Sequence, residues 1–303
     1  MTEEALVAGV ELGGTKCVVM LGSGPEAVHE RVRLPTTRPD ETLAAIESTL
    51  GKWRGFAAIG IASFGPLSID RDAGSYGRIT STPKPGWTDT DVARRLHARY
   101  DVPTGFHTDV VGAALAEARW GAGKGLGDLA YVTVGTGIGV GLIAGGMPVD
   151  GLSHSELGHM KPPRVAGDGW IGSCPFHGAC VEGLASGPAI AARNGVRAED
   201  LPPDHPGWDS VVDALAHLFA TLVLTGVPRR IVVGGGVGVG QPFLLPRLRE
   251  ATHDVLAGYI ALSPVEDMAT FIVPAALGED AGPLGAVLLG QRALAEPASF
   301  TRT

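Results

Sequence analysis

The sequence has 303 residues, enough for two domains, and 45% of them are hydrophobic while 18% are charged, which excludes an intrinsically disordered chain. The 24 Lys and Arg residues against 32 Asp and Glu give a net charge of −8. Nucleic acid is therefore not expected as a partner, because binding its phosphate backbone requires a basic surface. The first residues are acidic and precede no long apolar segment, so we expect a cytoplasmic protein without a membrane partner.

Two segments share one pattern, in which an apolar strand, a turn of glycine and threonine, and a second apolar strand follow one another. VAGVELGGTKCVVMLG predicts short strands at residues 7–12 and 16–22 around the turn Gly13-Gly14-Thr15. LAYVTVGTGIGVGLIAGG predicts strands at 129–134 and 139–144 around Gly135-Thr136-Gly137. The two hairpins indicate an internal repeat, and hence two similar α/β domains that face each other across a cleft.

Further strands and helices alternate along the chain, so the predicted fold class is α/β. Residues 57–67 predict a buried strand with a turn, and 229–238 predict a strand that enters the turn Gly234-Gly235-Gly236. Apolar periodicity predicts helices at 40–53, 89–100, 109–120, 181–194, 210–225, 242–259 and 282–295. We place a smaller domain at 1–108, completed by the C-terminal helix at about 282–303, and a larger one at 109–281; residues 298–303 are expected to fray.

The glycine-rich turns are candidate phosphate sites. Glycine allows close approach of a ligand, and a turn can direct backbone N–H groups and a threonine hydroxyl at a phosphate. An ordinary hairpin turn is the alternative for each, and Lys16 is equally compatible with an exposed charge at a strand end. No turn matches the P-loop or the dinucleotide-binding fingerprint, so those enzyme classes are disfavoured. The candidate nucleotide- or phosphate-binding residues are Gly13, Gly14, Thr15, Lys16, Gly135, Thr136 and Gly137.

The segment CPFHGAC places Cys174, His177 and Cys180 at a spacing typical of zinc ligands. His159, upstream, would complete a set of four. Four protein ligands leave no open position, so the zinc would be structural and would order the loop that carries Glu156. The alternative is two buried thiols beside an incidental histidine. Cys17 is expected to be an inert core thiol, and three cysteines cannot form a disulfide framework.

Asp109 stands where a strand-like segment, VPTGFHT, changes to a helix. The partial positive charge of a helix N-terminus keeps a carboxylate ionised, so Asp109 is a candidate catalytic group. Helix capping is the structural alternative. Glu156 and His159 are three residues apart, a spacing that would let both face one site from a turn or a helix end. The structural alternatives are a surface glutamate and a core histidine.

The motifs VELGGTK, TDVVGAALAEARWGAG, VTVGTGIGVGLI, ELGH, CPFHGACVEGLASGPA and RIVVGGGV together resemble the ROK family of sugar kinases over about residues 7–292. Within that family, SFGPL and YGRITSTPKPGW resemble the bacterial fructokinase branch. The resemblance implies an actin-like, hexokinase-like fold and an ATP- and Mg²⁺-dependent hexose kinase, with fructose as the expected sugar. It also leads us to expect a homodimer.

The resemblance assigns roles to individual residues. Asp109 would be the catalytic base, and Glu11, where the family more often has Asp, would hold Mg²⁺. Val111 replaces the usual Asn, a change that would alter sugar preference. Lys84 and Trp87 would line the sugar site or anchor their loop. The sugar contacts would be Gly65, Pro66, Thr108 and Glu156, and position 188, a proline after Gly187, would join the nucleotide-binding residues.

Two groups of alternatives remain. Within the family, the protein would be a glucokinase, a mannokinase or an N-acylhexosamine kinase. Outside catalysis, it would be a sugar-sensing or zinc-dependent interaction protein. The presence of Asp109 and of all three glycine turns favours the enzyme, since a protein without catalytic activity needs neither a base nor a nucleotide site.

Overall fold

The computed structural model describes residues 5–260 and 268–296; the predicted tail at 298–303 lies outside them. The chain divides into two compact units. The first contains the residues up to 116, residues 149–154 and the chain from 279 onward, and the second contains 117–148 and 155–278. Three stretches of the predicted larger domain at 109–281 thus lie in the first unit: the first eight residues of a helix, Asp109 to Ala116, then residues 149–154 and residues 279–281.

Each unit is built on a five-stranded sheet. In the first, with strand order β3-β2-β1-β4-β7, β1 pairs antiparallel with β2 and parallel with β4. In the second, with order β10-β9-β8-β11-β12, β8 pairs antiparallel with β9 and parallel with β11. The two sheets share their order and directions, as the predicted repeat requires. The strands are β1 Val7–Leu12, β2 Lys16–Gly24, β3 Ala27–Pro35, β4 Ala58–Ser63, β5 Arg78–Ile79, β6 Thr90–Asp91, β7 Thr104–Thr108, β8 Leu129–Val134, β9 Ile138–Ala144, β10 Met147–Pro148, β11 Ile231–Gly234 and β12 Ile272–Pro274.

The helices follow the predicted order; the one at 109–120 has the predicted ends, and the others have altered ends. The predicted helix at 181–194 is two helices, because the Ser186 hydroxyl accepts the Ala189 N–H at 3.3 Å and caps a new start. The helix predicted from residue 89 begins at Ala93, since Thr90 and Asp91 pair as a strand. The helices are α1 Pro39–Leu50, α2 Ala93–Tyr100, α3 Asp109–Trp120, α4 Val181–Ala185, α5 Gly187–Asn194, α6 Gly207–Gly226, α7 Gly236–Gly240, α8 Leu244–Leu256, α9 Met268–Phe271 and α10 Ala281–Ala295.

Helix α10 packs on β1, β4 and β7 of the first sheet. Glycines on these strands permit this close contact: a Cβ at Gly60 would overlap the Ala286 carbonyl, and one at Gly105 would overlap the Leu289 carbonyl. Helix α3 also crosses α10 at a glycine pair, Gly112 and Gly285. These contacts explain why the start of α3 and the last helix belong to the first unit.

Helix α6 forms the centre of the second core, with Trp208 and Phe219 fully buried, and it packs against α8 and α4. By length and composition alone α6 would pass for a membrane span, but 61% of its most apolar window is buried. A helix that is apolar on most of its faces is explained by burial in a protein core.

Candidate functional site

Asp109 is the first residue of α3, directly after the last residue of β7. Its Oδ1 accepts the Val110 N–H at 2.8 Å, while the Thr108 hydroxyl accepts the Val111 N–H at 3.3 Å. Burial raises the pKa of Asp109 to about 6, against the opposing effect of the hydrogen bonds from the Val110 and Asp109 N–H groups. A carboxylate with a pKa just below neutrality is suited to accept a proton at physiological pH.

Glu11, near the end of β1, is electrostatically coupled to Asp109. Burial, followed by the negative charge of Asp109, raises the pKa of Glu11 to about 7, although Lys16 and Arg31 oppose the shift. A Cβ at Gly282 would overlap the Glu11 carboxylate, so this glycine makes room for it at the start of α10. A buried carboxylate whose proton affinity is raised by a second negative charge is a suitable ligand for a divalent cation.

The loop of Gly65 and Pro66 follows β4, and the peptide bond between them is cis. The Pro66 carbonyl accepts the Thr80 N–H at 2.8 Å and the Thr80 hydroxyl at 3.1 Å. The next N–H, of Leu67, donates to Nε2 of His154 at 2.8 Å. Both sides of the loop are therefore held by hydrogen bonds.

The turn at residues 13–16 closes the β1–β2 hairpin, with the Gly13 N–H donating to the Lys16 carbonyl at 3.1 Å. Gly14 and Thr15 are exposed. The Lys84 ammonium donates to the Gly14 carbonyl, and Lys16 pairs with Glu279 at 3.5 Å, as an ordinary surface charge would. Buried Trp87 donates its Nε1–H to the Thr37 carbonyl at 2.8 Å and anchors the Lys84 loop.

In the second unit, glycine turns border a cavity of about 500 Å³. The Gly135 carbonyl accepts the Gly187 N–H at 2.8 Å, which joins the β8–β9 turn to the start of α5. Gly137 is not among the lining residues; its neighbour Ile138 donates its N–H to the Glu182 carboxylate at 3.0 Å. The lining residues are Gly135, Thr136, Gly187, Pro188, Ala191, Arg197, Ala198, Glu199, Gly236, Val237, Gly240 and Gln241.

The four residues proposed as zinc ligands lie together in the second unit. Their ligand atoms are within 4.8 Å of one another. Nδ1 of His159 is 3.7 Å from the Cys174 sulfur and 3.6 Å from the Cys180 sulfur, and the Cys174 sulfur is 3.7 Å from Nδ1 of His177. Zinc bond lengths of about 2.0 to 2.3 Å place tetrahedral ligand atoms roughly 3.5 Å apart or slightly more, so the donor set fits the ion.

The remaining predicted residues fall into two groups. Glu156 is exposed, and its carbonyl accepts the N–H of His159 at 2.9 Å, so its backbone adjoins the cluster of His159, Cys174, His177 and Cys180. Val111 is buried in α3. The first unit holds Asp109, Thr108, Gly65, Pro66 and residues 13–16, and the second holds Glu156, residues 135–137 and Pro188.

Sequence reasoning missed side chains whose partners are distant in the chain. Arg197, Glu199 and Gln241 border the cavity without belonging to a glycine motif. His107 and His154 are buried, and each hydrogen bonds to residues far away in the sequence. In the sequence, neither of these two histidines carries a local signal that indicates which residue it hydrogen bonds to.

The profile of the ROK family matches residues 7–293. The chain is 39% identical over 289 residues to a fructokinase of Pediococcus pentosaceus, covering 95% of this chain and 99% of that enzyme. It is 41% identical over 288 residues to a fructokinase of Zymomonas mobilis, covering 92% and 94%.

Solved structures show the same architecture. A ROK hexokinase from Thermus thermophilus superposes with a TM-score of 0.79 at 27% identity, over 96% of this chain and 99% of that one. A ROK glucokinase from Streptomyces griseus, solved with glucose and AMPPNP, gives a TM-score of 0.75 at 24% identity over 95% and 100%. The fold is therefore the actin-like, hexokinase-like fold expected from the sequence, and the chain belongs to the ROK family.

Proposed function

We propose that this protein is an ATP-dependent hexose kinase whose sugar is D-fructose and whose product is fructose 6-phosphate. The observation that carries the proposal is a carboxylate with a pKa of about 6 at the start of α3, in a chain 39% to 41% identical to named fructokinases over nearly its full length. The 6-hydroxyl of the sugar is the attacking group.

Asp109 acts as the general base. The sugar oxygen forms a bond to the γ-phosphorus, the bond from that phosphorus to the β–γ bridging oxygen breaks, and ADP leaves with the electron pair. The hydroxyl proton passes to the Asp109 carboxylate. The Val110 N–H, held at 2.8 Å, fixes the orientation of Oδ1, and the capping hydroxyl of Thr108 keeps the start of α3 in place.

The nucleotide occupies the cavity in the second unit, where Gly135, Gly187 and Gly236 present backbone without side chains. Thr136 supplies a hydroxyl. The exposed turn of Gly13, Gly14 and Thr15 supplies further N–H groups to the phosphates, and Lys16 supplies charge. Gly137, which does not border the cavity, shapes the same turn, because its carbonyl accepts the Gly135 N–H at 2.9 Å.

Glu11 would hold Mg²⁺, which would supply positive charge to the phosphate oxygens. Burial and the negative charge of Asp109 raise the pKa of Glu11, and a bound cation would offset that charge. His159, Cys174, His177 and Cys180 would hold a structural Zn²⁺ that orders the chain around Glu156, which would contact the sugar together with Gly65 and Pro66.

We place the protein in the cytoplasm, because ATP is its proposed phosphate donor and its thiols are free. The homodimer remains the expectation stated from the sequence. Size-exclusion chromatography with light scattering tests the dimer, since a monomer mass at micromolar concentration would exclude it.

A panel of sugars with ATP tests the activity. Fructose should give the highest kcat/KM among fructose, glucose, mannose and N-acetylmannosamine, and Asp109→Asn serves as the inactive control. A higher value for glucose or N-acetylmannosamine would assign the chain to another sugar, and Val111→Asn would then show whether the buried valine is the cause. Absence of turnover with every sugar would favour a sugar-sensing or zinc-dependent interaction protein.

A further inference from the structure

Residues 149–154 belong to the first unit, although the chain on both sides of them belongs to the second. We call residues 149–154 the crossing segment. It follows β10, and Glu156 comes two residues after its end. Among the described contacts, a hydrogen bond near each end holds the crossing segment in the first unit.

The first is made by His154, whose side chain is buried. Its Nε2 accepts the Leu67 N–H at 2.8 Å, and Leu67 directly follows Pro66. A ring nitrogen that accepts a hydrogen bond carries no proton, so this contact fixes the protonation of Nε2. It also gives the buried N–H of Leu67 a hydrogen-bond partner, and leaving such a group unpaired would destabilise the fold.

The second is made by Asp150. Nδ1 of buried His107 accepts the Thr108 N–H at 2.8 Å, so in the neutral ring the proton lies on Nε2. Nε2 donates to Oδ1 of Asp150 at 2.9 Å. His107 is two residues before Asp109, and this bond therefore joins the crossing segment to the start of α3.

We propose that His154 and the His107–Asp150 pair are positioning residues for the sugar. They tie the crossing segment to the two loops of the first unit that carry the proposed sugar contacts, Gly65–Pro66 and Thr108–Asp109. The same segment leads into Glu156, so its anchorage limits where the Glu156 carboxylate can lie. The inference rests on the proposed function of these residues, and none of the three positioning side chains takes part in the chemistry.

A change in KM without a change in kcat is the signature of this role. His154→Ala removes the acceptor and should raise the KM for fructose about fivefold, the factor that corresponds to a hydrogen bond of about 1 kcal/mol, with kcat and the KM for ATP unchanged. His154→Gln should restore the parental KM, because its side-chain oxygen can accept the Leu67 N–H. His29→Ala, an exposed histidine on β3, is the matched control.

Asp150 provides a second test, because its side chain is 41% exposed and tolerates substitution. Asp150→Ala should raise the KM for fructose and Asp150→Asn, which keeps Oδ1, should not. Amide hydrogen exchange provides a readout independent of activity: Leu67 should exchange faster in His154→Ala than in His154→Gln.

Parental KM values in both alanine variants would overturn the inference. A parallel loss of kcat, of both KM values and of melting temperature would also overturn it, since that pattern indicates a purely structural role. If the parent protein phosphorylates a sugar other than fructose, the same comparison is made with that sugar. If the parent has no activity at all, the proposed function fails, and unaltered exchange at Leu67 would then overturn the hydrogen-bond anchor separately.

Discussion

Oε1 of Glu117 accepts the backbone N–H of Leu277, 160 residues later in the chain, at 2.9 Å. Oε2 of the same carboxylate accepts the N–H groups of Ala122 at 2.7 Å and Ala276 at 3.2 Å. Glu117 is fully buried and is the first residue of the second unit, while Leu277 precedes the point at which the chain leaves that unit. One carboxylate thus holds the chain at Ala122, near the start of the second unit, and at Ala276 and Leu277, near its end.

Glu117→Gln should destabilise the protein, because the new amide group directs N–H donors at backbone donors. An unsatisfied buried donor costs about 1 to 3 kcal/mol, and we expect the free energy of unfolding to fall by an amount in that range in urea titration. Glu250→Gln, on the exposed side of α8, is the control. Equal stability of the two variants would mean that these hydrogen bonds contribute nothing net.

Asp109→Asn should keep the fold and the KM for fructose but lower kcat by about 10²- to 10⁴-fold, the contribution of a general base. Asparagine retains an oxygen for the Val110 N–H, so the start of α3 is preserved. Steady-state kinetics and circular dichroism measure both effects, with exposed Asp254→Asn as the control. Turnover within about twofold of the parent would remove Asp109 from the mechanism.

Glu11→Gln should stabilise the protein at high pH. The pKa of Glu11 is raised to about 7 in the fold from an ordinary value of 4.5, so the folded state binds the proton more tightly between these values. Stability is therefore lost as the pH rises through that window, by at most about 3 kcal/mol. The variant cannot ionise and escapes this loss.

Melting curves from pH 5 to pH 8 measure the difference between Glu11→Gln and the parent. It should grow with pH and level off above pH 7, whereas exposed Glu26→Gln should follow the parent throughout. A difference independent of pH would show that the pKa of the Glu11 carboxyl is not raised in the folded protein.

Elemental analysis of tag-free protein should find about one zinc per chain. Cys174→Ser and Cys180→Ser should lose the metal, melt at lower temperature and raise the KM for fructose, because the chain near Glu156 loosens before the core fails. Cys17→Ala is the matched control, since burial raises the pKa of that thiol and it lies in the first core. Absence of zinc, or parental melting and KM in both serine variants, would reduce the cluster to a coincidence of spacing.

Gly236→Ala should raise the KM for ATP and leave stability unchanged. A Cβ at Gly236 meets no atom within 4 Å, yet the residue lines the cavity, so the methyl group takes space from the nucleotide. Gly169→Ala, equally unobstructed and outside the cavity lining, is the control. Parental ATP kinetics in Gly236→Ala and in the bulkier Gly236→Val would place the nucleotide elsewhere.

The sequence was sufficient where a structure depends on local pattern. Helix α3 was predicted with the observed ends, since both the strand-to-helix change at Asp109 and the glycine after Trp120 are visible locally. The proximity of His159, Cys174, His177 and Cys180 was predicted because His and Cys residues at close spacing carry their own signal; metal binding stays a prediction. Strand β3 was missed, because Glu30, Arg31 and Arg33 make it an exposed, charged edge strand without a buried face.

Hydrogen bonds between residues distant in the sequence could not be predicted. His107 and Asp150 are 43 residues apart, and Leu67 and His154 are 87 apart; nothing in either local sequence specifies the other. The crossing segment could not be anticipated either, since no periodicity marks six residues that join a different unit from their neighbours.

The packing of α10 on β1, β4 and β7 also sets an order for folding during synthesis. The strands of the first sheet leave the ribosome early, but the helix that covers Gly9, Gly60 and Gly105 is translated last among the described helices. The second unit needs only residues 117–148 and 155–278, which are complete before that helix exists. The unit whose strands are translated first is therefore the one that finishes folding last.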